Sequence, residues 1–337
     1  MQVYRSLADV PPDFGPTALS IGNFDGVHFG HRRILHRLKE VAAEHGWKAS
    51  VLTFDPHPTQ VVAPERTPPL LTSPERRAAL MAGEGIEQVL ILPFTRELAL
   101  LSPQEFVEQL LVKTLHARAV LVGDNFHFGH RQSGNVAVLE ELGRKFGFET
   151  EIVPAVSWRG RMVSSSAIRQ LIRAGNVSLA GRLLQHAYAL DGDVVSGRGV
   201  GSKQTVPTLN LATKAEVIPA SGVYITRTRE RSVEGAVEPT VEHPGGRQWN
   251  SITNIGYRPT FGASDELTIE TFLLDPLTGE TPRHICVEFF RRVREERKFE
   301  SPEALRSQIL KDVRTAQAFF RRTSRIKAWT RPACISC

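Results

Sequence analysis

Two patterns of apolar residues follow one another along the chain. In the first half, short apolar runs alternate with segments in which apolar residues recur every three or four positions, which is typical of parallel strands joined by helices. The predicted strands of this half are residues 19–22, 49–54, 89–92, 119–122 and 150–153. The pattern therefore predicts a doubly wound α/β domain, whose ligands collect at the carboxyl ends of the strands.

Helix-start signals lie between these strands. Ser73 and Ser102 are each followed by a proline, and Ser102 forms a potential capping box with Glu105. After the first strand, apolar residues at helical spacing predict a helix that begins near Gly30. The connections are therefore helical, as parallel strands require.

The pattern changes near Ala187, after a short helical segment at residues 179–186. From there on short strands dominate, and we predict them at residues 189–195, 223–228, 251–255, 267–274 and 285–290. Around Glu270 the side chains alternate between two distinct faces of a strand. Several such strands predict a small closed barrel.

A helix is predicted to close the second domain, beginning at Ser301 and Pro302. Its apolar face should pack against the barrel. That face consists of Leu305, Ile309, Val313, Ala316 and Phe320. Residues 230–248 are polar and rich in glycine and proline, so we expect a long excursion between two strands. The predicted domains are 1–186 and 187–321, followed by a basic and flexible tail at 322–337.

Composition adds three expectations. With 337 residues, 41% of them hydrophobic, the chain is long enough for two globular domains. It contains no apolar run of about eighteen residues and no secretory leader pattern, so we expect a cytoplasmic protein without a membrane span. The net charge of +6 could favour nucleic acid, a membrane surface or phosphorylated small molecules, but it is spread along most of the chain, so we expect no nucleic-acid partner.

The three cysteines, Cys286, Cys334 and Cys337, do not resemble a disulfide framework. The last two form a lone C-x-x-C, which is only weak support for a metal site.

The segment from Gly22 to His31 joins the first predicted strand to a helix through a glycine-rich turn. Free N–H groups at the start of that helix favour a phosphate. His28 and His31 lie three positions apart, and both could reach an anion held there. Two alternatives stay open for these histidines: ordinary surface or core residues, or zinc ligands, although no nearby cysteine or third histidine completes a zinc set.

Three further stretches of the first domain follow predicted strands or begin a helix. Residues 55–58 read Asp-Pro-His-Pro and form either a rigid turn or part of a site. Asn125 could bond a ribose, a base or a magnesium-bound water. Residues 164–166 are serines at a helix start and Arg169 follows them, which suits a phosphate as well as an ordinary serine cap.

In the second domain, residues 192–201 are rich in glycine but lack the G-K-S/T ending of a Walker loop. Thr208 and Asn210 follow a proline shortly afterwards. Glu270 lies on a predicted strand, where a lone glutamate is most often solvated.

Together these motifs resemble one family. The first carries Gly22, Phe24, Asp25, Gly26, His28, Gly30 and His31, and is similar to the H-x-G-H signature of nucleotidyltransferases, in the form found in bacterial bifunctional riboflavin kinase/FAD synthetases. Residues 164–169 resemble that family's S-S-T-x-I-R motif, with Ser166 in place of threonine, and residues 192–210 resemble its flavokinase pattern. The resemblance covers nearly the entire chain. It implies a Rossmann-like nucleotidyltransferase domain followed by a flavokinase-type β-barrel with a C-terminal helix.

The resemblance implies that the barrel phosphorylates riboflavin to FMN and that the first domain adenylylates FMN to FAD, with ATP as co-substrate and Mg²⁺ as cofactor in both steps. The implied catalytic residues are Glu270, His28, His31 and Arg169. The implied ATP-binding residues are Gly22, Phe24, Gly26, His28, His31, Asn125, Ser164, Ser165, Ser166, Arg169, Gly197, Gly201 and Thr208. Flavin contacts are implied for Asp55, Pro56, His57, Pro58, Asn125, Phe126, Arg294 and Arg297, and metal contacts for Thr208 and Asn210.

Some positions of the barrel depart from the family pattern. Thr205, Val206 and Leu209 replace the residues usual around the threonine–asparagine motif, and residues 281–283 lack a common tyrosine–glycine pair. Two alternatives follow: an adenylyltransferase with a degenerate kinase barrel, or, because the tail is basic, a flavin- or RNA-binding regulatory protein on the same scaffold.

Overall fold

The computed structural model describes residues 1–195, 208–231, 246–260 and 263–325. These residues form two compact units, and the division between them lies between Ala167 and Ile168. Three predicted stretches lie wholly or mostly outside the described residues: positions 196–201 of the glycine-rich run at 192–201, most of the excursion at 230–248, and the tail beyond Arg325, with Cys334 and Cys337. The described ends of the excursion belong to strands.

The first unit contains a six-stranded parallel sheet. Its strands are β1 (Gln2–Tyr4), β2 (Thr17–Ile21), β3 (Lys48–Phe54), β4 (Gln88–Leu92), β5 (Ala117–Gly123) and β6 (Glu149–Val153), in the order β1-β4-β3-β2-β5-β6. All residues of β2 and β4 are buried, as the continuous apolar runs predict for a sheet covered on both faces. From β2 the chain winds to β3 on one side and later reaches β5 on the other. The topological switch point therefore lies between β2 and β5.

Helices cover both faces of this sheet. They are α1 (Phe29–His45), α2 (Pro58–Val62), α3 (Pro74–Gly83), α4 (Arg96–Leu100), α5 (Pro103–Phe106, continued by a π-helix at Val107–Thr114) and α6 (Val136–Phe146). One apolar core contains Leu38 of α1 and Met81 of α3. The other contains Leu111 of the π-helix and Leu139 of α6. Because Ala18 contributes to one core and its neighbour in sequence to the other, the cores lie on opposite faces.

The predicted helix caps are confirmed. The Ser73 side chain accepts from the Arg76 N–H, and Ser102 and Glu105 form the reciprocal capping box. A hairpin of β7 (Ser157–Trp158) and β8 (Arg161–Met162) precedes α7 (Ser165–Arg173), a helix that crosses the division between the units.

The second unit is a closed antiparallel barrel. After α8 (Val177–Leu184) come β9 (Tyr188–Val195), β10 (Thr208–Thr213), β11 (Gly222–Arg231), β12 (Gln248–Thr260), β13 (Ala263–Leu273), β14 (His284–Arg294) and α9 (Pro302–Arg325). The strand order around the barrel is β10-β13-β12-β11-β14-β9. The predicted barrel and its closing helix are thus confirmed, and β10 is a strand that the apolar pattern does not predict.

The barrel interior contains a cluster of hydroxyl groups. Thr226, Thr228, Ser251, Thr253 and Thr271 have no exposed surface. Their hydroxyls hydrogen-bond to one another over 2.8 to 3.0 Å. Each buried hydroxyl therefore finds its partner within the cluster, as burial requires.

Helix α9 packs on the outside of the barrel. Ala316 and Phe320 join Val223, Ile225 and Ile252 in an apolar cluster. The expectation that Leu305 is buried is wrong, because this side chain is 40% exposed. The apolar patch of β11 and β12 meets the second half of α9, so the first turn extends past it.

Among the described residues, no helix combines the length and the apolar character needed to span a bilayer.

Candidate active sites

The glycine-rich loop after β2 holds an unusual backbone. Phe24, Gly26 and Val27 all have positive φ angles, of 49°, 81° and 39°. For the two residues with side chains this conformation costs roughly 1 to 3 kcal/mol each. Phe24 is 2% exposed and Val27 is fully buried, and both belong to the core that contains α1. Burial of these two side chains therefore offsets the strain and fixes the shape of the loop.

His28 and His31 form one stacked pair at the start of α1. Their ring centroids lie 3.6 Å apart with an angle of 12° between the planes. His28 caps the helix, and its Nδ1 accepts from the His31 N–H over 3.4 Å. Because Nδ1 accepts, the proton of a neutral His28 ring lies on Nε2. A Cβ at Gly30 would lie 3.2 Å from Cε1 of His28, so glycine leaves room for this ring.

The environment favours the neutral form of His31. Burial lowers its pKa well below the usual range, and the positive charges of His28 and Arg77 lower it further. A neutral imidazole at a helix start still offers a hydrogen bond to an anion, and the helix supplies partial positive charge. The structure thus brings both histidines to the start of this helix, and their contact with an anion stays a prediction.

The residues after β3 are tied to the glycine-rich loop. Nδ1 of His57 accepts from the Thr59 N–H over 3.2 Å and caps α2. Its Nε2 lies 3.0 Å from the Asn23 side-chain amide. Asp55, Pro56 and Pro58 are half-buried around it. This stretch therefore contributes to the same edge of the sheet as the histidine pair.

The loop after β5 completes that edge. Asn125 is exposed directly after the strand. Phe126 is half-buried and stacks on Phe128 with a centroid distance of 5.4 Å. Since β3, β2 and β5 are parallel neighbours, their carboxyl ends meet, and the structure brings these three predicted stretches together.

The serine motif reaches the same loop from α7. Ser164 accepts from the Ala167 N–H over 3.3 Å, and the Ser165 hydroxyl donates to the Asp25 carbonyl over 3.0 Å. Ser166 is exposed. Arg169 lies one turn further along this helix and is 8% exposed.

In the barrel, three predicted residues lie on one face of neighbouring strands. Asn210 on β10 is directly opposite Glu270 on β13, and Glu270 is directly opposite Asn254 on β12. Thr208 lies two residues before Asn210 and shares its face. Glu270 alternates with the buried Ile269 and Thr271, so this face is the outside of the barrel.

This row of side chains suits a hard cation. A hydroxyl, an amide and a carboxylate supply the oxygen ligands that Mg²⁺ prefers. Thr208 is exposed, and Asn210 and Glu270 are half-exposed, so a metal nucleotide has access to them. Gly197 and Gly201, predicted to contact ATP, lie outside the described residues.

The two arginines predicted to contact flavin are held by α9. Nε of Arg294 lies 2.9 Å from Oδ2 of Asp312, and Nη2 of Arg297 donates to Gln308 over 2.5 Å. Both guanidinium groups lie over the Phe299 ring, 5.5 and 4.9 Å from its centroid. The segment after β14 is therefore fixed to the helix.

Sequence reasoning assigns no role to three residues of these sites. Asn254 adjoins Glu270 only through strand register, which the apolar pattern does not specify. Asp25 and Arg77 are polar residues only 2% exposed, close to the histidine loop. A charged residue inside an otherwise apolar helical face, as at Arg77, is the available sequence signal for such a position.

Comparison with known proteins matches the two halves of the chain to two different family models. A family model described as FAD synthetase matches residues 11–167, and one described as riboflavin kinase matches residues 184–320. The chain is 36% identical over 318 residues to the bifunctional riboflavin kinase/FMN adenylyltransferase of Pseudomonas fluorescens, covering 94% of this chain and 97% of the relative. It is 35% identical to the protein of the same name in Escherichia coli K12, covering 90% and 92%.

A crystal structure described as a macrolide-efflux protein from Streptococcus pneumoniae has a TM-score of 0.79 and 26% identity, covering 94% of this chain and 98% of that one. With both family models matched in order, and with relatives at 35 and 36% identity along nine tenths of its length, the chain belongs to the bifunctional riboflavin kinase/FMN adenylyltransferase family.

Proposed function

We propose that the first unit transfers the adenylyl group of ATP to FMN and that the barrel makes this FMN from riboflavin and ATP. The observation that carries the first assignment is the stacked His28–His31 pair at the start of α1, at the switch point of the sheet. A helix start, a stacked imidazole pair and the neighbouring loops provide donors for the phosphates of a nucleotide.

The adenylyl transfer needs no protein nucleophile. A phosphate oxygen of FMN attacks the α-phosphorus of ATP, the bond to the β-phosphate oxygen breaks, and pyrophosphate leaves. His28 and His31 hold the phosphates and stabilise the negative charge that develops on them. Arg169, from the serine motif, is assigned to the same charge on the strength of the family resemblance. Asn125, Phe126 and residues 55–58 are assigned to the nucleotide and the flavin.

The kinase step is assigned to the outer face of the barrel. Glu270 accepts the proton of the riboflavin 5′-hydroxyl while that oxygen attacks the γ-phosphorus of ATP, and ADP leaves. Thr208 and Asn210 would hold Mg²⁺, which neutralises phosphate charge when bound. The register supports this assignment, because Asn210 lies directly opposite Glu270 on the neighbouring strand.

The other sequence expectations stay predictions. They are the cytoplasmic location, the lack of a nucleic-acid or membrane partner, the basic tail and the domain boundary after His186.

The test is a time course of the purified chain with riboflavin and Mg-ATP, with the flavins separated by chromatography. FMN should rise before FAD. FMN alone would contradict the assignment of the first unit, and FAD formed only from added FMN would contradict that of the barrel. If neither product forms, both assignments are contradicted and the alternative of a flavin- or RNA-binding protein without turnover takes precedence.

The variant His28→Ala tests whether adenylyl transfer takes place at the histidine pair. We expect at least a hundredfold loss of FAD formation from added FMN, since a preorganised donor is removed. FMN formation by the same protein should stay within twofold of wild type. His45→Ala, at the far end of the same helix, is the matched control and should change neither step.

A further inference from the structure

The geometry points to Arg77 as a positioning residue of the adenylyl-transfer site: its hydrogen bonds to the end of β3 fix the shape of the histidine loop, and its buried guanidinium adds positive charge beside that loop. This inference rests on the proposed function of the first unit. Arg77 lies on α3 and is 2% exposed, so it acts through other groups and not by touching substrate.

A chain of hydrogen bonds connects Arg77 to the loop. Its Nη1 donates to the Thr53 hydroxyl over 3.0 Å and to the Phe54 carbonyl over 3.3 Å. The Thr53 hydroxyl in turn donates to the Asn23 carbonyl over 3.2 Å. Arg77 therefore links α3 through the end of β3 to the loop that carries His28.

A second connection joins the loop to the segment before α3. The Asp25 carboxylate accepts from the N–H groups of Leu71 and Thr72 over 3.0 to 3.1 Å, and from the Thr72 hydroxyl over 3.2 Å. The Gly26 N–H lies 3.1 Å from the same hydroxyl. Because Asp25 and Arg77 attach the loop at two points, α3 acts as a rigid support for it.

Among the described residues, no carboxylate is hydrogen-bonded to Arg77. Within the described part of the chain its hydrogen bonds go to neutral oxygens, and its buried Nε has no hydrogen-bond partner. Asp25, Asp55 and Glu75 attract the guanidinium, but without such a bond. Burial of a charge is costly unless it is paired. A purely structural role would be met at lower cost by an apolar side chain of similar size, whereas a site for phosphate benefits from a positive charge beneath it.

The same charge acts on the histidine pair. The His31 ring stacks on that of His28, and the charges of His28 and Arg77 both lower the pKa of His31, after the larger effect of burial. If both rings were protonated, two positive charges would lie 3.6 Å apart in the stack. Removing the Arg77 charge removes one cause of the low pKa, so His31 should protonate at a higher pH.

Three variants separate the charge from the hydrogen bonds. Arg77→Met removes both, Arg77→Lys keeps the charge, and Thr53→Val cuts the connection to Asn23 while leaving the guanidinium. For Arg77→Met we expect kcat/KM for ATP in FAD formation to fall at least tenfold, and the acid limb of its pH profile to move to higher pH. Arg77→Lys and Thr53→Val should lower kcat/KM several-fold and leave the limb in place. The ionisations of ATP and FMN are common to all variants.

The kinase step in the same chain is the control for folding and should stay within twofold throughout. Arg77→Met with the wild-type kcat/KM and acid limb would overturn the inference. If Arg77→Met loses both the kinase and the adenylyl-transfer reaction, Arg77→Lys and Thr53→Val test the inference instead. Wild-type kinetics of FAD formation in both of these variants would overturn it.

An NMR titration of ¹³C-labelled histidine, with His31 assigned through His31→Gln, measures the effect of the charge without turnover. The His31 pKa should be higher in Arg77→Met than in wild type, and an unchanged value would overturn the inference. Failure of wild type to make FAD would instead contradict the proposed function, and this titration would still test Arg77.

Discussion

The two candidate sites are built in different ways. In the first unit, the histidine pair and its loop come from ten consecutive residues, 22–31, and buried polar contacts fix their shape. In the barrel, Asn210, Asn254 and Glu270 come from three strands and meet through antiparallel register on an outer face. The first site is therefore a contiguous motif stabilised by buried polar contacts. The second site forms only when the strands of the barrel pair in register.

This difference determines how each site should respond to change. A strained loop held by burial should be sensitive to small displacements, since in the proposed mechanism its own backbone groups bind the phosphate. A row of side chains on a barrel surface tolerates more, because each side chain can be altered without moving the strands. Its sensitivity should be concentrated in the group that moves the proton.

The largest effect is expected for Glu270→Gln. Replacing the carboxylate by an amide of the same shape removes the proton acceptor and should slow riboflavin phosphorylation by about 10² to 10⁴-fold. FAD formation from added FMN should stay within twofold, which a coupled chromatographic assay measures. Glu280→Gln, an exposed glutamate in the turn before β14, is the matched control. A kinase rate near wild type in Glu270→Gln would remove this residue from the mechanism.

Next is Asp312→Asn, which tests how firmly α9 holds the segment after β14. Asp312 is 4% exposed and pairs with Arg294 over 2.9 Å. We expect a loss of about 2 kcal/mol in the free energy of unfolding, between the values for exposed and buried pairs. The KM for riboflavin should rise because Arg294 loses its anchor. Denaturant unfolding and the kinase assay measure the two effects.

For comparison, Glu151→Gln removes an exposed partner of Arg37 in the first unit. It should change stability by less than about 0.5 kcal/mol. Equal losses in Asp312→Asn and Glu151→Gln would contradict the role given to burial in the barrel pair.

The contrast between the sites also explains what the sequence could predict. The first motif is contiguous, so its glycines and histidines by themselves predict a phosphate site, and all five predicted strands of this unit begin and end within two residues of the observed ones. Strand β1 has only three residues, too few for a pattern. The support that Arg77 and Asp25 give to the loop is not predictable, because it depends on contacts between residues up to 47 positions apart, as between Asp25 and Thr72.

In the barrel, alternation around Glu270 predicts a strand with two faces, but not which neighbours it meets. Strand β10 follows a proline and alternates exposed and buried positions over only six residues. The family resemblance therefore identifies its threonine–asparagine motif, but the apolar pattern is too short to predict the strand. Leu305 continues the helical spacing of α9 but lies beyond the apolar patch of the barrel. Periodicity predicts which face of an element is apolar, and only packing determines how much of that face is covered.

A smaller effect is expected for Gly30→Ala in the first site. The added Cβ would lie 3.2 Å from the His28 ring, so the ring must move by a few tenths of an ångström. FAD formation should fall about tenfold, because misplacement of a catalytic group lowers the rate steeply. Thermal stability should not fall, since alanine is a better helix former than glycine. Ala43→Ser, exposed on the same helix, is the control, and equal rates in both variants would show that the ring position does not matter.

The smallest effect is expected for Asn254→Ala in the second site. Asn254 adjoins Glu270 by register, and its Nδ2 lies 3.4 Å from a carboxylate oxygen of Glu296. Loss of one neutral side-chain contact beside the base should slow riboflavin phosphorylation by about three- to fivefold. Asn250→Ala is the matched control, because Asn250 lies on the same face of β12 two pleats away. If the two variants behave alike, the position of Asn254 opposite Glu270 does not contribute to the rate, and the barrel site depends on Glu270 and the proposed metal ligands of β10.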